Sequence, residues 1–188
     1  MSETRNYYSP IQLKWAAEND HHGFLKDVDN WCNHRPLLLT ALELTKGDVI
    51  ELGSGDGSTE YLRQYCAEHE RVFKNYDNNM SWASATGSEY VEDWDKADIW
   101  HPCGLLFVDH APGEHRHIAI ERMKDKAAII VIHDSEPSAT GYMLDKIWTL
   151  FRYRINLKSS GAWATAVSNI IDLHVFDGHT IGEFKLEK

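Results

Sequence analysis

Short apolar segments alternate with amphipathic segments of similar length through most of this sequence. The runs DVIEL, RVFKNYD, CGLLFVD and AAIIVIHD have the length and aliphatic content of buried strands, and each precedes a stretch that reads as a helix. The last of these helices is predicted over TGYMLDKIWTL. Repeated strand–helix units favour a mainly parallel sheet with helices on both faces. The alternation therefore predicts an α/β, doubly wound fold.

The two ends of the chain depart from this alternation. After the last predicted helix, the extended runs FRYRINLK and AWATAVSN are separated by Ser-Ser-Gly, which is typical of a hairpin, so an antiparallel pair should close one edge of the sheet. A short helix beginning at Ser9 and a second helix over 35–45 belong to no strand pattern. We predict one domain over 1–188, with an N-terminal helical cap over 1–46 that covers the substrate and a core over 47–188.

Composition limits the class of partner. The chain has 29 Asp plus Glu against 19 Lys plus Arg, a formal net charge of −10, which would repel a nucleic-acid backbone. The longest aliphatic run is AAIIVI, far shorter than the ~20 residues of a membrane span, and the start MSETRNYY lacks the order of a signal peptide. The three cysteines form no CxxC pair and indicate neither a disulfide framework nor a cysteine zinc site. We expect a cytoplasmic protein that binds neither nucleic acid nor a membrane.

A glycine-rich loop joins the first predicted strand to its helix. Glycines alternate at Gly53, Gly55 and Gly57, so the backbone can turn sharply and approach a ligand, and the helix start offers unpaired N–H groups. A Walker-type nucleotide site is excluded, because no lysine lies between Gly53 and Thr59. A dinucleotide site is disfavoured but stays open, because the third glycine of its motif would stand at Ser58.

The motif E-x-G-x-G-x-G that begins at Glu51 resembles the first motif of the class I S-adenosylmethionine-dependent methyltransferases. The resemblance implies a Rossmann-like, mainly parallel seven-stranded sheet with an antiparallel terminal hairpin. It also implies that an aspartate ending the second strand binds the ribose hydroxyls, and that a polar and an aromatic residue after the third strand line the adenine. The residues so assigned to S-adenosylmethionine are Glu51, Gly53, Ser54, Gly55, Gly57, Ser58, Asp77, Asn78, Asp93 and Trp94.

Acidic residues follow the fourth and fifth predicted strands. Asp109 comes after LLFV and Asp134 comes shortly after IIVI, at strand ends that share one edge of a parallel sheet. Two converging carboxylates repel each other unless they are protonated or bridged by a cation, and a hard divalent ion takes oxygen ligands of this kind. This layout resembles the magnesium-dependent O-methyltransferases of the sugar and catechol types. The resemblance implies Mg²⁺ or Mn²⁺ held by Asp109, Asp134 and Ser135.

The base of the reaction is not fixed by this resemblance. Pro112 stands where catechol-type enzymes have a lysine base, and Ser135 stands where they have Asn. Sugar-type enzymes place a histidine base soon after the first aspartate, and an imidazole has a pKa near neutrality. The catalytic group is therefore predicted as His110, with His115 as the other candidate, together with Asp109 and Asp134. The residues expected to contact the acceptor are His133, Trp31 and His34.

These features predict an S-adenosylmethionine-dependent O-methyltransferase that acts, with a divalent metal, on a small hydroxylated acceptor such as a sugar or a catechol-like ring. Two other functions stay open. One is a NAD-type Rossmann oxidoreductase or epimerase, and the other is a catalytically silent Rossmann-like binding module. The sequence also leaves a homodimer open.

Overall fold

The computed structural model describes residues 23–26, 28, 31–95, 99–159, 161–181 and 184–188. No helix among these combines the length and apolar composition that a bilayer crossing demands. The helices are α1 (Arg35–Leu44), α2 (Thr59–Glu68), α3 (Met80–Thr86) and α4 (Arg116–Met123). The strands are β1 (Val49–Leu52), β2 (Phe73–Asp77), β3 (Glu89–Tyr90), β4 (Cys103–Val108), β5 (Ala127–His133), β6 (Tyr153–Leu157), β7 (Ala164–Ser168), β8 (Thr180–Ile181) and β9 (Phe184–Glu187). Short 3-10 helices span Gly113–His115, Thr140–Tyr142, Leu144–Lys146, Trp148–Leu150 and Leu173–Phe176.

The strands form one sheet in the order β3-β2-β1-β4-β5-β7-β6-β9-β8. Strands β1 to β5 pair in parallel, and β7 lies antiparallel between β5 and β6. The α/β fold with a parallel core and an antiparallel hairpin is thus confirmed. The described sheet has nine strands where seven were expected, because β8 and β9 extend it past the hairpin. Two-residue strands such as β8 are too short to show an alternating pattern in the sequence.

The central strands are buried on both faces. In β4, Leu105 and Phe107 belong to one apolar cluster, and Leu106 and Val108 belong to the other. Helices α1 and α2 contribute residues to the first cluster, and α4 contributes residues to the second. Helices therefore pack on both faces of the sheet, which is the doubly wound arrangement. Because α1 packs into the core, this part of the predicted cap is a core helix. The predicted helix at Ser9 lies outside the described residues.

The segment predicted as one helix before the hairpin forms three separate 3-10 turns instead. Met143, between the first two turns, has φ of +55°, a left-handed conformation that a continuous right-handed helix does not contain. Leu144 and Ile147 are nevertheless buried in the second cluster. The apolar residues of this segment therefore pack as a helix would pack them, without forming one.

The strand order reverses between β1 and β4, whose carboxyl ends lie side by side. The Asp109 N–H donates to the Leu52 carbonyl at 2.8 Å, and the Gly53 N–H donates to the Tyr76 carbonyl of β2 at 2.9 Å. Open α/β sheets bind ligands in the crevice at such a reversal, outside the carboxyl ends of the strands. The glycine loop and the polar strand ends therefore meet where a ligand site is expected.

Candidate active site

The three glycines of the loop have different surroundings. Gly53 has φ of +91°, and a Cβ there would lie 2.5 Å from the Asp109 carbonyl carbon and the His110 nitrogen. A Cβ on Gly57 would lie 3.2 Å from Cε1 of His34. At Gly55 the nearest atom to such a Cβ would be 3.9 Å away. Packing within the protein thus requires glycine at 53 and favours it at 57, whereas a Cβ on Gly55 would make no close contact.

Glu51 supports this loop from inside the protein. Its fully buried carboxyl accepts hydrogen bonds from Ser58 Oγ at 2.5 Å and Thr59 Oγ1 at 2.8 Å. Burial raises the pKa of Glu51 to about 8, although both hydroxyl hydrogen bonds oppose the rise. The expectation that Glu51 and Ser58 touch S-adenosylmethionine therefore does not fit: both are buried and fix the start of α2.

Asp77 joins the glycine loop to the end of β2, as its predicted role requires. Its Oδ2 accepts from the Ser54 N–H at 2.9 Å, and its Oδ1 accepts from the Asn79 N–H at 2.7 Å. Each carboxylate oxygen has a second lone pair that a ribose hydroxyl can use. The partly buried Asn78 lies beside it. Sequence reasoning did not single out Trp82, whose indole N–H donates to the Ser54 carbonyl at 2.5 Å.

Trp94 and Asp93 follow the short strand β3. Trp94 is buried in the second apolar cluster, its indole N–H donates to the Ala111 carbonyl at 3.0 Å, and its ring lies 4.6 Å from the His110 ring. Asp93 accepts a hydrogen bond from the Asp95 N–H at 2.9 Å. Contact of Asp93 and Trp94 with adenine stays a prediction.

The two histidines predicted as bases are poorly placed for that work. His110 is buried against the Trp94 ring, and burial together with the Arg116 charge lowers its pKa to about 4. His115 is exposed in a 3-10 turn and lines a separate small cavity with Trp100. A base must reach the hydroxyl that it deprotonates. The geometry therefore favours neither histidine.

Arg116 bridges the two carboxylates that were expected to share a cation. Its Nη2 donates to Asp109 Oδ1 at 2.9 Å, and its Nη1 donates to Asp134 Oδ2 at 3.3 Å. The same buried guanidinium donates to the backbone carbonyls of Asp109, His110 and His133. Sequence reasoning missed this residue, because an arginine in the first turn of a predicted helix is indistinguishable from a solvated surface charge.

The predicted hard-cation site does not fit these positions. The Arg116 guanidinium already lies between Asp109 and Asp134 and takes one oxygen of each, and the Ser135 hydroxyl lies 2.7 Å from Thr165 Oγ1, which itself donates to Asn156 at 3.0 Å. The Ser135 oxygen is thus part of a buried hydroxyl chain. The requirement for Mg²⁺ or Mn²⁺ in the reaction stays a prediction.

His133, the last residue of β5, lies between two acceptors. Its Nδ1 is 3.2 Å from Asp109 Oδ2 and 3.7 Å from Asp134 Oδ1, and its Nε2 is 3.1 Å from Asn33 Oδ1. Burial lowers the pKa of His133, but the hydrogen bond to Asp109 and the two carboxylate charges outweigh burial and raise it. Burial likewise raises the pKa of Asp109, but His133 and Arg116 outweigh burial and lower it.

His34 completes this group from the N-terminal side. It is buried, and its ring makes an edge contact with the His133 ring at a centroid distance of 4.5 Å. Burial and the neighbouring His133 lower the pKa of His34 to about 3. The structure brings His34, Asp109 and His133 together, with ligand atoms within 4.8 Å of one another. The Trp31 side chain, by contrast, is 84% exposed, and its contact with an acceptor stays a prediction.

A cavity of about 530 Å³ is lined by residues that include the one directly after Asp134 in the sequence. Its lining includes Glu136, Arg154 and the side chains of Trp148 and Trp163. The Arg154 guanidinium lies 4.9 Å from the centre of the Trp148 ring. Volumes of this size and a mixture of aromatic and polar lining are typical of small-molecule sites. Because the chain has seven tryptophans, sequence reasoning could not single out these two.

Comparisons with known proteins find similarity in structure and none in sequence. No protein-family model matches the sequence, and no curated protein matches it. The chain is similar to a Klebsiella pneumoniae protein described as a suspected O-methyltransferase, with a TM-score of 0.51, 14% identity, and coverage of 86% of this chain and 90% of that chain. It is also similar to the plantazolicin methyltransferase BpumL in complex with SAH (TM-score 0.49, 9% identity, 85% and 90% coverage). A third similar structure is that of M. capricolum TrmK in complex with S-adenosyl-homocysteine (TM-score 0.39, 11% identity, 76% and 77% coverage). Taken with the strand order and the position of the glycine loop, the first of these similarities shows that the chain has a Rossmann-like α/β fold like that of the Klebsiella protein.

Proposed function

We propose that this chain is an S-adenosylmethionine-dependent O-methyltransferase acting on a small hydroxylated acceptor, such as a sugar or a catechol-like ring. The observation that carries the proposal is the glycine loop at the strand reversal. Gly53 is fixed against β4, a Cβ on Gly55 would make no close contact, and Asp77 is hydrogen-bonded to the same loop. No observation favours the dinucleotide alternative.

Residues of this chain fit the two parts of the cofactor that the motif implies. The side of Gly55 leaves room for the amino-acid part, because among the described residues no side-chain atom lies within 4 Å of a Cβ placed there. The free lone pairs of Asp77 are available to ribose hydroxyls. S-adenosylmethionine, when bound, supplies a sulfonium methyl group that an oxygen nucleophile accepts. The protein then has to place that oxygen close to the methyl group and in line with the bond that breaks.

The cavity next to Asp134 is suited to hold the acceptor. The flat rings of Trp148 and Trp163 can stack on a sugar or aromatic ring, and Arg154 and Glu136 offer polar contacts for its substituents. The side chain of Asp134 is 27% exposed and belongs to the residue directly before this lining. Among the predicted catalytic residues, Asp134 is therefore better placed than His110 to take the proton of an acceptor hydroxyl.

A transfer assay with a methyl-labelled donor tests this proposal. Incubation with sugars and catechols should label at least one class of hydroxyl compound. Trp163→Ala and Trp148→Ala should raise the KM for that acceptor and leave the affinity for S-adenosylhomocysteine unchanged, because the cofactor loop lies on other strands. Binding of S-adenosylhomocysteine without transfer to any hydroxyl compound would favour the silent binding module instead.

A further inference from the structure

Three side chains with metal-ligating atoms converge from distant parts of the sequence. His34 directly precedes α1, Asp109 follows β4, and His133 ends β5. One ligand atom from each lies within 4.8 Å of the other two. A zinc ion at about 2.0–2.1 Å from each ligand atom needs those atoms roughly 3.3 Å apart. Asp109 Oδ2 and His133 Nδ1 already meet this condition at 3.2 Å, so a side-chain adjustment on the order of 1 Å completes the set.

The His34 imidazole is buried without a well-formed hydrogen bond. Among the described residues, neither Nδ1 nor Nε2 has a partner that meets hydrogen-bond geometry, and the Gly57 backbone makes only a weaker polar contact with the ring. Buried polar side chains are normally hydrogen-bonded, so an exception points to a missing group such as an ion or a water. Its ring touches His133 at 4.5 Å, which places the unused nitrogens beside the other two ligands.

His133 is oriented in the way that metal-binding histidines are. The Asn33 Nδ2 donates to the Ala162 carbonyl, which fixes the amide so that its oxygen faces His133. His133 Nε2 therefore carries a hydrogen and donates it to Asn33 at 3.1 Å. Metal-ligating histidines usually donate their other N–H to a carbonyl or carboxylate in this manner. Nδ1 then faces Asp109 Oδ2, and the two atoms need either a proton or a cation between them.

We propose that His34, Asp109 and His133 form a binding site for a divalent first-row transition-metal ion. Two imidazoles with one carboxylate suit zinc, iron or cobalt better than magnesium, which prefers oxygen ligands. Arg116 holds Asp109 through its other carboxylate oxygen and supports the site from outside. The Asp109 side chain is 26% exposed, so solvent reaches the carboxylate ligand of this group. The site does not depend on the proposed methyl transfer.

Cobalt binding to the tag-free, chelator-treated protein tests this site directly. We expect one Co²⁺ per chain, with visible absorption that Zn²⁺ abolishes and millimolar Mg²⁺ does not. His34→Gln and His133→Gln should each lower the affinity for Co²⁺ by more than the about 10- to 100-fold expected for loss of an outer partner, and Asn33→Ala should fall in that range. His69→Ala, which changes an exposed histidine, should bind as the unmodified protein does.

Three results would overturn the proposal. They are no binding of Co²⁺ or Zn²⁺, binding undiminished in either His34→Gln or His133→Gln, and binding lost instead on replacing His21 and His22, an adjacent histidine pair in the sequence that could also bind a metal. Circular dichroism checks that each variant is folded. If both histidine variants fail to fold, anomalous scattering from Zn²⁺-soaked crystals of the unmodified protein decides: a peak between the three residues supports the site, and its absence overturns it.

Discussion

Replacing Arg116 by glutamine removes the charge that holds Asp109 and Asp134 together. The buried guanidinium lies 2.9 Å and 3.3 Å from the two carboxylates and also donates to three backbone carbonyls. Removing one partner of a buried ion pair destabilises a protein by about 3–5 kcal/mol, because a charge is left buried without compensation. A domain of this size loses roughly 2–4 °C in Tm per kcal/mol, so the expected drop is about 6–20 °C.

A matched substitution on the same helix separates this effect from the loss of any arginine. Arg122 of α4 pairs with Asp95 at 2.7 Å, but the two side chains are 36% and 58% exposed. Exposed pairs of this kind contribute about 0–1 kcal/mol, so Arg122→Gln should lower the Tm by no more than about 4 °C. Calorimetric melting of both variants in EDTA at pH 7 measures the difference.

The pH dependence of the Arg116→Gln defect checks its cause. Although burial opposes the shift, His133 and Arg116 hold the pKa of Asp109 below its ordinary value, so the unmodified protein loses stability as pH falls through that lowered pKa. In the variant the carboxylates are already uncompensated at pH 7, and protonation relieves them. The gap in Tm should therefore narrow toward pH 3. Equal Tm values for Arg116→Gln and Arg122→Gln at pH 7 would refute the claim that Arg116 bridges the two carboxylates. Asp109 and Asp134 would then be free to bind the predicted Mg²⁺.

Three further substitutions test the loop and its supports. Burial raises the pKa of Glu51 from 4.5 to about 8, so the folded protein keeps a proton that the unfolded chain releases. The free energy of unfolding should therefore fall by up to about 1.4 kcal/mol per pH unit as pH rises from 4.5 to 8. Glu51→Gln should remove that slope in urea unfolding, and parallel pH profiles would contradict this assignment. Gly53→Ala combines φ of +91° with a Cβ contact of 2.5 Å, so we expect a loss of roughly 2–5 kcal/mol; an unchanged Tm would show that the loop does not pack there. Asp77→Asn should weaken S-adenosylhomocysteine binding about 10- to 150-fold, because hydrogen bonds to charged groups contribute about 1.5–3 kcal/mol; equal affinity by calorimetry would remove Asp77 from the site.

The predictable parts of this protein are those encoded in short, contiguous patterns. The βα alternation and the glycine spacing after β1 each lie within one segment, and a periodicity or a turn explains each of them. Asp77 could be placed beside the loop because a strand end fixes its position in a parallel sheet. The Ser-Ser-Gly segment between two extended runs predicts the hairpin.

The parts that sequence reasoning missed depend on contacts between distant segments. His34 and His133 were both predicted to contact the acceptor, but their contact with each other arises only because α1 packs against the sheet. Arg116 looks like a surface charge until α4 turns it inward beneath two strand ends. The break at Met143 depends on a left-handed residue that carries no glycine signal. In each case local propensity was neutral, and tertiary packing decided the outcome.

Calorimetric titration with S-adenosylhomocysteine, comparing the unmodified protein with Gly55→Val, tests the proposed cofactor site most directly. A Cβ at Gly55 would have no neighbour nearer than 3.9 Å, so this variant should fold with an unchanged Tm. Its added side chain would instead occupy space meant for the ligand. Overpacking of this kind costs about 1–3 kcal/mol, which corresponds to a loss of affinity of about 5- to 140-fold. The proposed site predicts saturable binding to the unmodified protein and that loss in the variant. No binding to the unmodified protein, or equal binding to both proteins, would contradict it.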